Sequence, residues 1–208
     1  LEASSHGLKQ NRLDGLLFDV GIFTNLSQDH MDYHKNFKNY LNSKLYLFRY
    51  LIKRQGHIIS DSTIPQINEI EKISGKKKLK LSTIFGKNSD LELVKHIYQD
   101  ENQILEIRYK SQIFKIELSL IGKIQIKNIL MAILTAINSN LDINNITKII
   151  HKIKPVEGRL EKIGILKNKS KVLLDYAHTP DALETVLINI KDQFPLSKIC
   201  LVFGCGGD

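Results

Sequence analysis

The segment that most limits how this chain can fold runs from Asp175 to Leu183 and reads Asp-Tyr-Ala-His-Thr-Pro-Asp-Ala-Leu. It joins an apolar, β-rich run, Lys171 to Ala177, to a stretch with helical spacing, Pro180 to Phe194. The Thr179 hydroxyl can cap the helix, and Pro180 suits the first helical position because its missing N–H has no partner to lose there. With Lys198 to Phe203 as a further strand candidate, the spacing predicts a βαβ unit.

The rest of the chain alternates in the same way. Leu16 to Thr24 reads as a buried strand that ends in a polar loop, Asn25 to His34. Phe37, Tyr40, Leu41, Leu45, Phe48, Leu51 and Ile52 fall at three- and four-residue steps, which predicts an amphipathic helix stopped by Gly56. His57 to Ser60 and Leu79 to Phe85 are short strand candidates, and Gln103 to Tyr109 with Gln112 to Leu118 form a candidate hairpin around Lys110-Ser111. Ile126 to Ile137 has helical periodicity, and a second helix is expected from Asp142 as N-cap to Ile153, ended by Pro155. The expected fold class is α/β: residues 1–154 as one domain, 155–160 as a connector and 161–208 as a second domain only begun.

Both ends look like cuts, since Leu1 to Gly7 has no initiator Met or leader pattern and Gly204 to Asp208 is a turn that should introduce a helix. Hydrophobic residues make up 42% and charged residues 25% of the 208, with no apolar run of membrane-spanning length, so a soluble chain and no membrane partner are expected. Cys200 and Cys205 match neither a zinc spacing nor a disulfide framework, which fits a cytoplasmic location. A net charge of +8 could serve phosphate binding, but the one dense basic run, Lys76-Lys77-Lys78 with Lys80, reads as a solvated loop without interleaved aromatics, so no nucleic-acid partner is expected.

Several clusters could carry chemistry. Asp29, His30, Asp32 and His34 follow a strand end, where α/β sheets often hold ligands, although Asp and His also serve in ordinary turns. Lys44 lies in the apolar stripe beside Tyr40, Leu41 and Phe48. Its ammonium must either reach water along its stem or lose charge by desolvation, and a neutral amine can react with CO₂ to give an anionic carbamate able to bind metal. Glu2, Ser4, Ser5 and His6 precede Gly7, with Gln10 and Arg12 following; Ser4 or Ser5 could equally be a helix cap. Asp175 and His178 stand where βα units present binding groups, and Gly204 to Gly207 could form an anion-binding turn.

Taken together, Glu2-Ala-Ser-Ser-His-Gly-Leu8 with Gln10 and Arg12, Phe23-Thr-Asn-Leu-Ser-Gln-Asp-His-Met-Asp-Tyr-His34, Gly158-Arg159, Asp175 to Leu183 and Val202-Phe-Gly-Cys-Gly-Gly-Asp208 resemble the Mur ligases, and among them the MurE type, in order and spacing. The resemblance implies an ATP-dependent amide-forming ligase that adds meso-diaminopimelate or lysine to UDP-N-acetylmuramoyl-L-alanyl-D-glutamate through an acyl phosphate. The fold it implies is the later part of a central ATP-binding domain, a mixed sheet with flanking helices and a small antiparallel sheet, followed by the start of a Rossmann-like domain.

By the same resemblance Glu2 and His30 would hold Mg²⁺, with Lys44 as a carbamate helping to place metal and phosphate. Ser4, Gln10 and Arg12 would contact the UDP-N-acetylmuramoyl-dipeptide. Asn128 would lie near adenine, Arg159 at the ATP phosphates, Asp175 at the ribose and His178 near the nucleotide, with the connector around Gly158 acting as a hinge. The chain departs from the family at Gln125, where Asn is common, and lacks the glycine-rich ATP loop, so it is expected to be inactive alone; a monomer is expected. The alternatives are a folylpolyglutamate synthase or another Mur ligase, a metal-dependent hydrolase built on His30 and His34, and a basic binding module.

Overall fold

The computed structural model describes residues 1–26 and 31–204. A six-stranded mixed sheet organises most of it. β1 (Phe18–Phe23), β2 (Ile52–Asp61) and β3 (Lys80–Ile84) run parallel. β4 (Leu91–Gln99), which meets β3 at Leu91 and Ile84, continues the sheet with β5 (Asn102–Tyr109) and β6 (Gln112–Leu118) as an antiparallel meander. The strand order is β1-β2-β3-β4-β5-β6.

Helices cover both faces, and the adjacent Ile58 and Ile59 of β2 show it. Successive strand residues point to opposite faces, so two neighbouring isoleucines enter the two layers separately. Ile58 packs with Leu8 of α1 (Ser5–Lys9), Leu45 of α3 (Phe37–Tyr46) and Ile70 of α4 (Ile67–Lys77). Its neighbour Ile59 packs with Ile126, Leu130 and Leu134 of α5 (Lys123–Asn138). Both isoleucines have 0% exposure. The four-residue helix α2 (Met31–His34) lies between β1 and α3 in sequence, and α6 (Ile143–Ile149) with a 3-10 turn to Lys152 follows α5.

The structure corrects four local expectations. The helix begun at Phe37 widens into a π-turn over Leu47–Leu51 and passes directly into β2, so Gly56 lies inside a strand rather than ending a helix. There it permits a bulge: the β1 partners jump from Ile52 opposite Phe18 to His57 opposite Val20, and a Cβ at Gly56 would come within 2.9 Å of the Asp19 and Lys53 carbonyl oxygens. Lys76 and Lys77 are not in a loop but in the last turn of α4, where cations suit the helix dipole, and Lys78 closes the helix at φ 54°. The polar stretch expected as a loop through His34 ends in the helix α2, whereas Asp142 is the N-cap of α6 as expected, its carbonyl accepting from the Asn145 and Ile146 N–H groups and its carboxylate from the Asn144 amide at 3.2 Å.

The fourth correction concerns the βαβ unit. β8 (Lys171–Leu174) pairs antiparallel with β7 (Glu161–Ile165), and α7 (Pro180–Gln193) follows with Thr179 capping the Ala182 N–H. Residues 198–204 form no strand, because they hydrogen-bond to no neighbouring strand, and Val202 and Phe203 are exposed.

α7 joins the sheet body through polar groups. α5 has no side-chain cap of its own and no acid in its first turn. The Gly122 N–H instead donates to Gln193 Oε1 at 2.8 Å, and the Ile124 N–H to Asn189 Oδ1 at 3.0 Å. Gln193 also donates to the Asp100 carbonyl at 3.0 Å. Both α7 side chains are buried, at 8% and 4% exposure for Asn189 and Gln193. Gly122 is required at this contact: its φ is +88°, and a Cβ would sit 2.6 Å from Leu160 Cδ1. Around the joint, Lys162 pairs with Glu101, and Lys171 with Asp100 at 3.1 Å and Glu101 at 3.3 Å.

These environments set the pH response of folding. Burial, with Lys80 nearby, pushes the His57 imidazole below its ordinary 6.5. Burial also lowers His96, and the bond to Gln103 only partly offsets it. A histidine with a depressed folded pKa contributes stability that is complete above pH 6.5 and lost as pH falls through the folded value. Glu101, lowered chiefly by its bond from Lys162, gives way only below the carboxylate value of 4.5, and Lys171, raised by its acidic partners against the effect of burial, only above 10.5. Thermal midpoints are therefore expected to stay level from neutral to mildly alkaline pH and to fall first on acidification through 6.5. The pair His57→Leu and His96→Gln should flatten that fall; an unchanged slope in the double variant would count against this assignment.

Candidate functional site

An open cleft of about 790 Å³ runs along β1, the edge strand of the sheet. Glu2, Ser4 and Ser5 line it from the N-terminal segment, Thr24 and Asn25 from the end of β1, Tyr40 and Lys44 from α3, and Arg159 from the turn before β7. Four of the side chains to which the resemblance gives a role, Glu2, Ser4, Lys44 and Arg159, thus line one cleft from three separate stretches of chain. Gln10, Arg12, Asn128, Asp175 and His178 do not line it. His30 and Asp29 lie outside the described residues, as do the residues after Gly204.

Ser4 is the N-cap of α1, its Oγ accepting from the Gly7 N–H at 3.1 Å. A hydroxyl that accepts in this way keeps its own proton to donate, so capping and substrate contact are compatible. The Gln10 amide donates to Tyr33 Oη at 3.2 Å, which ties α1 to α2. Arg12 is exposed on the turn after α1.

Lys44 is half-buried, with Nζ donating to the Asn25 carbonyl at 3.3 Å and lying 5.2 Å from the centre of the Tyr40 ring. Its stem covers apolar surface while its head enters the cleft, which satisfies the first of the two alternatives open to an ammonium in an apolar stripe.

Arg159 is held from several directions. Its N–H donates to the Val156 carbonyl at 3.0 Å, and its own carbonyl accepts from the Gln125 amide of α5 at 3.2 Å. Gln125, the departure noted in the sequence, therefore links α5 to the arginine turn. The guanidinium lies 5.6 Å from the centre of the Tyr176 ring, a cation–π placement that restrains the side chain while leaving its N–H groups for an anion.

Asp175 holds the same turn. One carboxylate oxygen accepts from the Leu160 N–H and the other from the Ala177 N–H, both at 2.8 Å. Leu160 needs such support, because its φ of 47° is a left-handed conformation that a branched side chain disfavours by about 1 kcal/mol. His178 is exposed, its Nδ1–H donating to the Tyr176 carbonyl at 3.0 Å.

Two features were not legible as site features, and a third has a different role from the one expected. Asp61, at the end of β2, forms a buried pair with Lys127 of α5 at 2.9 Å. Burial alone would raise this carboxyl, but the Thr63 and Lys127 hydrogen bonds outweigh it and hold Asp61 below its ordinary value. Asn189 and Gln193 sit four residues apart on the packed face of α7, and that spacing of polar residues within an apolar stripe was the available signal. His34 was singled out, but as a possible metal ligand. It is buried, with Ser5 Oγ 3.0 Å from Nε2 and Ser43 Oγ 3.4 Å from Nδ1. Among the described residues no group of three or more His, Cys, Asp or Glu is placed to hold a metal ion, and no helix is long and apolar enough to cross a membrane.

The sheet, the cleft and the second body that supplies Arg159 define an α/β protein whose site is shared between two units. Residues 1–136 match the Mur ligase middle domain, and residues 158–208 match the Mur ligase, glutamate ligase domain. The chain belongs to the Mur ligase family. It is 36% identical over its whole length to the UDP-N-acetylmuramoyl-L-alanyl-D-glutamate--2,6-diaminopimelate ligases of Chelativorans sp. and Rickettsia prowazekii, of which it covers 43% and 42%. A solved structure of a ligase of that name matches 92% of this chain and 39% of its own, with a TM-score of 0.77 and 27% identity. MurF from Acinetobacter baumannii shares the fold at a TM-score of 0.72 and 18% identity over 82% of this chain and 37% of its own. A folylpolyglutamate synthase from L. casei does so at 0.67 and 19% over 86% and 46%. The chain thus spans less than half the length of the curated relatives it matches.

Proposed function

We propose that the protein carrying this segment is a MurE-type ligase: it phosphorylates the D-glutamyl carboxylate of UDP-N-acetylmuramoyl-L-alanyl-D-glutamate with ATP and joins the resulting acyl phosphate to the amine of diaminopimelate. The observation that carries this is the meeting of Glu2, Ser4, Lys44 and Arg159 in one cleft beside the end of a parallel strand. The 36% identity to diaminopimelate-adding ligases favours that amine over lysine. The folylpolyglutamate synthase alternative has a fold likeness alone. Residues 1–154 then belong to the central domain, 155–160 to a hinge and 161–208 to the last domain, and the unpaired edge of β1 is where the rest of the central sheet continues. A cytoplasmic enzyme working as a monomer is the corresponding setting.

The residues suit the chemistry. In a neutral Lys44 the Nζ lone pair attacks the carbon of CO₂, an N–C bond forms, one C=O electron pair moves to oxygen, and the nitrogen releases a proton to water. The resulting carbamate and the Glu2 carboxylate are the oxygen ligands a hard cation takes, and Mg²⁺ held there with His30 would neutralise charge on the transferring phosphoryl group. Arg159 can grip phosphate oxygens in two-point contact, and Ser4 and Gln10 can donate to the dipeptide while Arg12 pairs with its carboxylate. Asn128, Asp175 and His178, beside the joint of the two bodies, would read adenine, ribose and phosphates as the last domain closes and excludes water from the acyl phosphate.

The full-length protein should form one amide bond per ATP hydrolysed with meso-diaminopimelate and this UDP-dipeptide. Exclusive use of lysine would overturn the substrate assignment, and ligation of glutamate to a folate would overturn the class.

A further inference from the structure

The walls of the cleft that lie in the first body are separate in sequence, and one side chain outside the cleft touches two of them, the N-terminal segment and α3. His34 is fully buried at 0% exposure and does not line the cleft. Its Nε2 is 3.0 Å from Ser5 Oγ, next to Ser4 and close in sequence to Glu2. Its Nδ1 is 3.4 Å from Ser43 Oγ, the residue before Lys44. Its ring stacks on Tyr40 at 5.0 Å between centres, and the Lys44 ammonium lies against the same Tyr40 ring. Its carbonyl accepts from the Asn39 amide at 3.2 Å, fixing the end of α2 on α3.

The protonation of the ring follows from its partners. Ser43 Oγ donates its proton to the Asn39 carbonyl at 2.9 Å, so it presents lone pairs to the imidazole and Nδ1 carries the hydrogen. Nε2 is then the acceptor and Ser5 the donor. An imidazole with a defined donor side and acceptor side has one orientation, whereas an apolar residue of similar size would pack without fixing the helices relative to each other.

We propose that His34 is a positioning residue: it sets the distance and angle between the Glu2–Ser4 segment and Lys44, so that carbamate, carboxylate and substrate hydroxyl contacts converge. This rests on the role given to Lys44 above. A displacement of about 1 Å between groups that must converge on a reacting phosphoryl group costs tenfold to a hundredfold in rate.

The test uses the full-length ligase with Ser43→Ala, which removes the acceptor of Nδ1–H, and His34→Gln, which keeps a polar group but loses the two-sided ring. Each is read by thermal midpoint, by kcat and KM for ATP and for the UDP-dipeptide, and by the carbamate carbon resonance after equilibration with isotopically labelled bicarbonate. Both variants should fold, lose about tenfold or more in kcat, keep the KM for ATP within about twofold, and show a weakened carbamate signal. Wild-type turnover and signal in a folded variant would overturn the proposal, and so would a lower melting point with unchanged kcat. If His34→Gln does not fold, Ser43→Ala decides alone. If the unaltered enzyme turns over without any carbamate signal, it is the role of Lys44 that falls, and the kcat values still decide for His34.

Discussion

Lys44→Arg in the full-length ligase is expected to lower turnover at least a hundredfold while leaving the melting temperature nearly unchanged. Arginine keeps the stem, the positive charge and a donor for the Asn25 carbonyl that Lys44 reaches at 3.3 Å, so packing and local charge survive. A guanidinium stays protonated and cannot add CO₂, so it cannot become an oxygen ligand. Removing one preorganised group that stabilises transition-state charge typically costs a hundredfold to a thousandfold in rate. The substitution separates two uses of the same side chain. If Lys44 served as a simple cation facing phosphate, arginine would replace it with modest loss. Steady-state kinetics with a melting curve on the same sample distinguishes the two, and near-normal turnover in the arginine variant would remove the carbamate from the mechanism.

Gln193→Leu should be the most damaging single substitution at the joint between the two bodies. It leaves the Gly122 N–H and the Asp100 carbonyl without the partners they meet at 2.8 and 3.0 Å, in a place where the side chain is only 4% exposed. Leaving a buried backbone group unsatisfied costs about 1–3 kcal/mol, so about 2–4 kcal/mol of stability should be lost by denaturant titration. Amide exchange at Gly122 and Ile124 should quicken with it, because the start of α5 has no cap of its own. The surrounding ion pairs are expected to matter much less, since partly exposed pairs of this kind contribute about 0–1 kcal/mol. A Gln193→Leu protein as stable as the parent would mean that the joint is held by apolar contacts instead.

How much of this was legible depended on whether the signal was local. The hairpin of β5 and β6 alternates cleanly and turns at Lys110-Ser111, so its pattern matches its pairing residue for residue. The α7 start was explicit because Thr179 and Pro180 act within one turn. β4 was missed because its alternation is interrupted: the register with β5 shifts between Leu93 and Lys95, so Leu91 and Leu93 share a face with His96 rather than with Lys95. α4 was hidden by Ser74 and Gly75, which read as breakers. In the fold Ser74 is buried, with its hydroxyl on the Leu79 carbonyl at 2.8 Å.

The candidate site divides along the same line. Lys44 stood out because an ammonium in an apolar stripe is anomalous within its own helix. Asn189 and Gln193 look unremarkable in sequence, since the partners that make them necessary lie 65 and 71 residues away at Ile124 and Gly122; His34 stands out in sequence only as a possible ligand, because its partner Ser5 lies 29 residues away. Asp175 illustrates the opposite case. Its position after a strand pointed to ligand binding, whereas the duty seen in the structure is holding Leu160 in a strained conformation beside Arg159.

The central claim is that this cleft belongs to an enzyme that activates a carboxylate as an acyl phosphate. Its most direct test is to supply the full-length protein with UDP-N-acetylmuramoyl-L-alanyl-D-glutamate carrying heavy oxygen in the D-glutamyl carboxylate, together with ATP and diaminopimelate, and to follow the label by mass spectrometry. Transfer of one heavy oxygen into the released inorganic phosphate for each amide bond formed is the result predicted. Amide formation with unlabelled phosphate would contradict it.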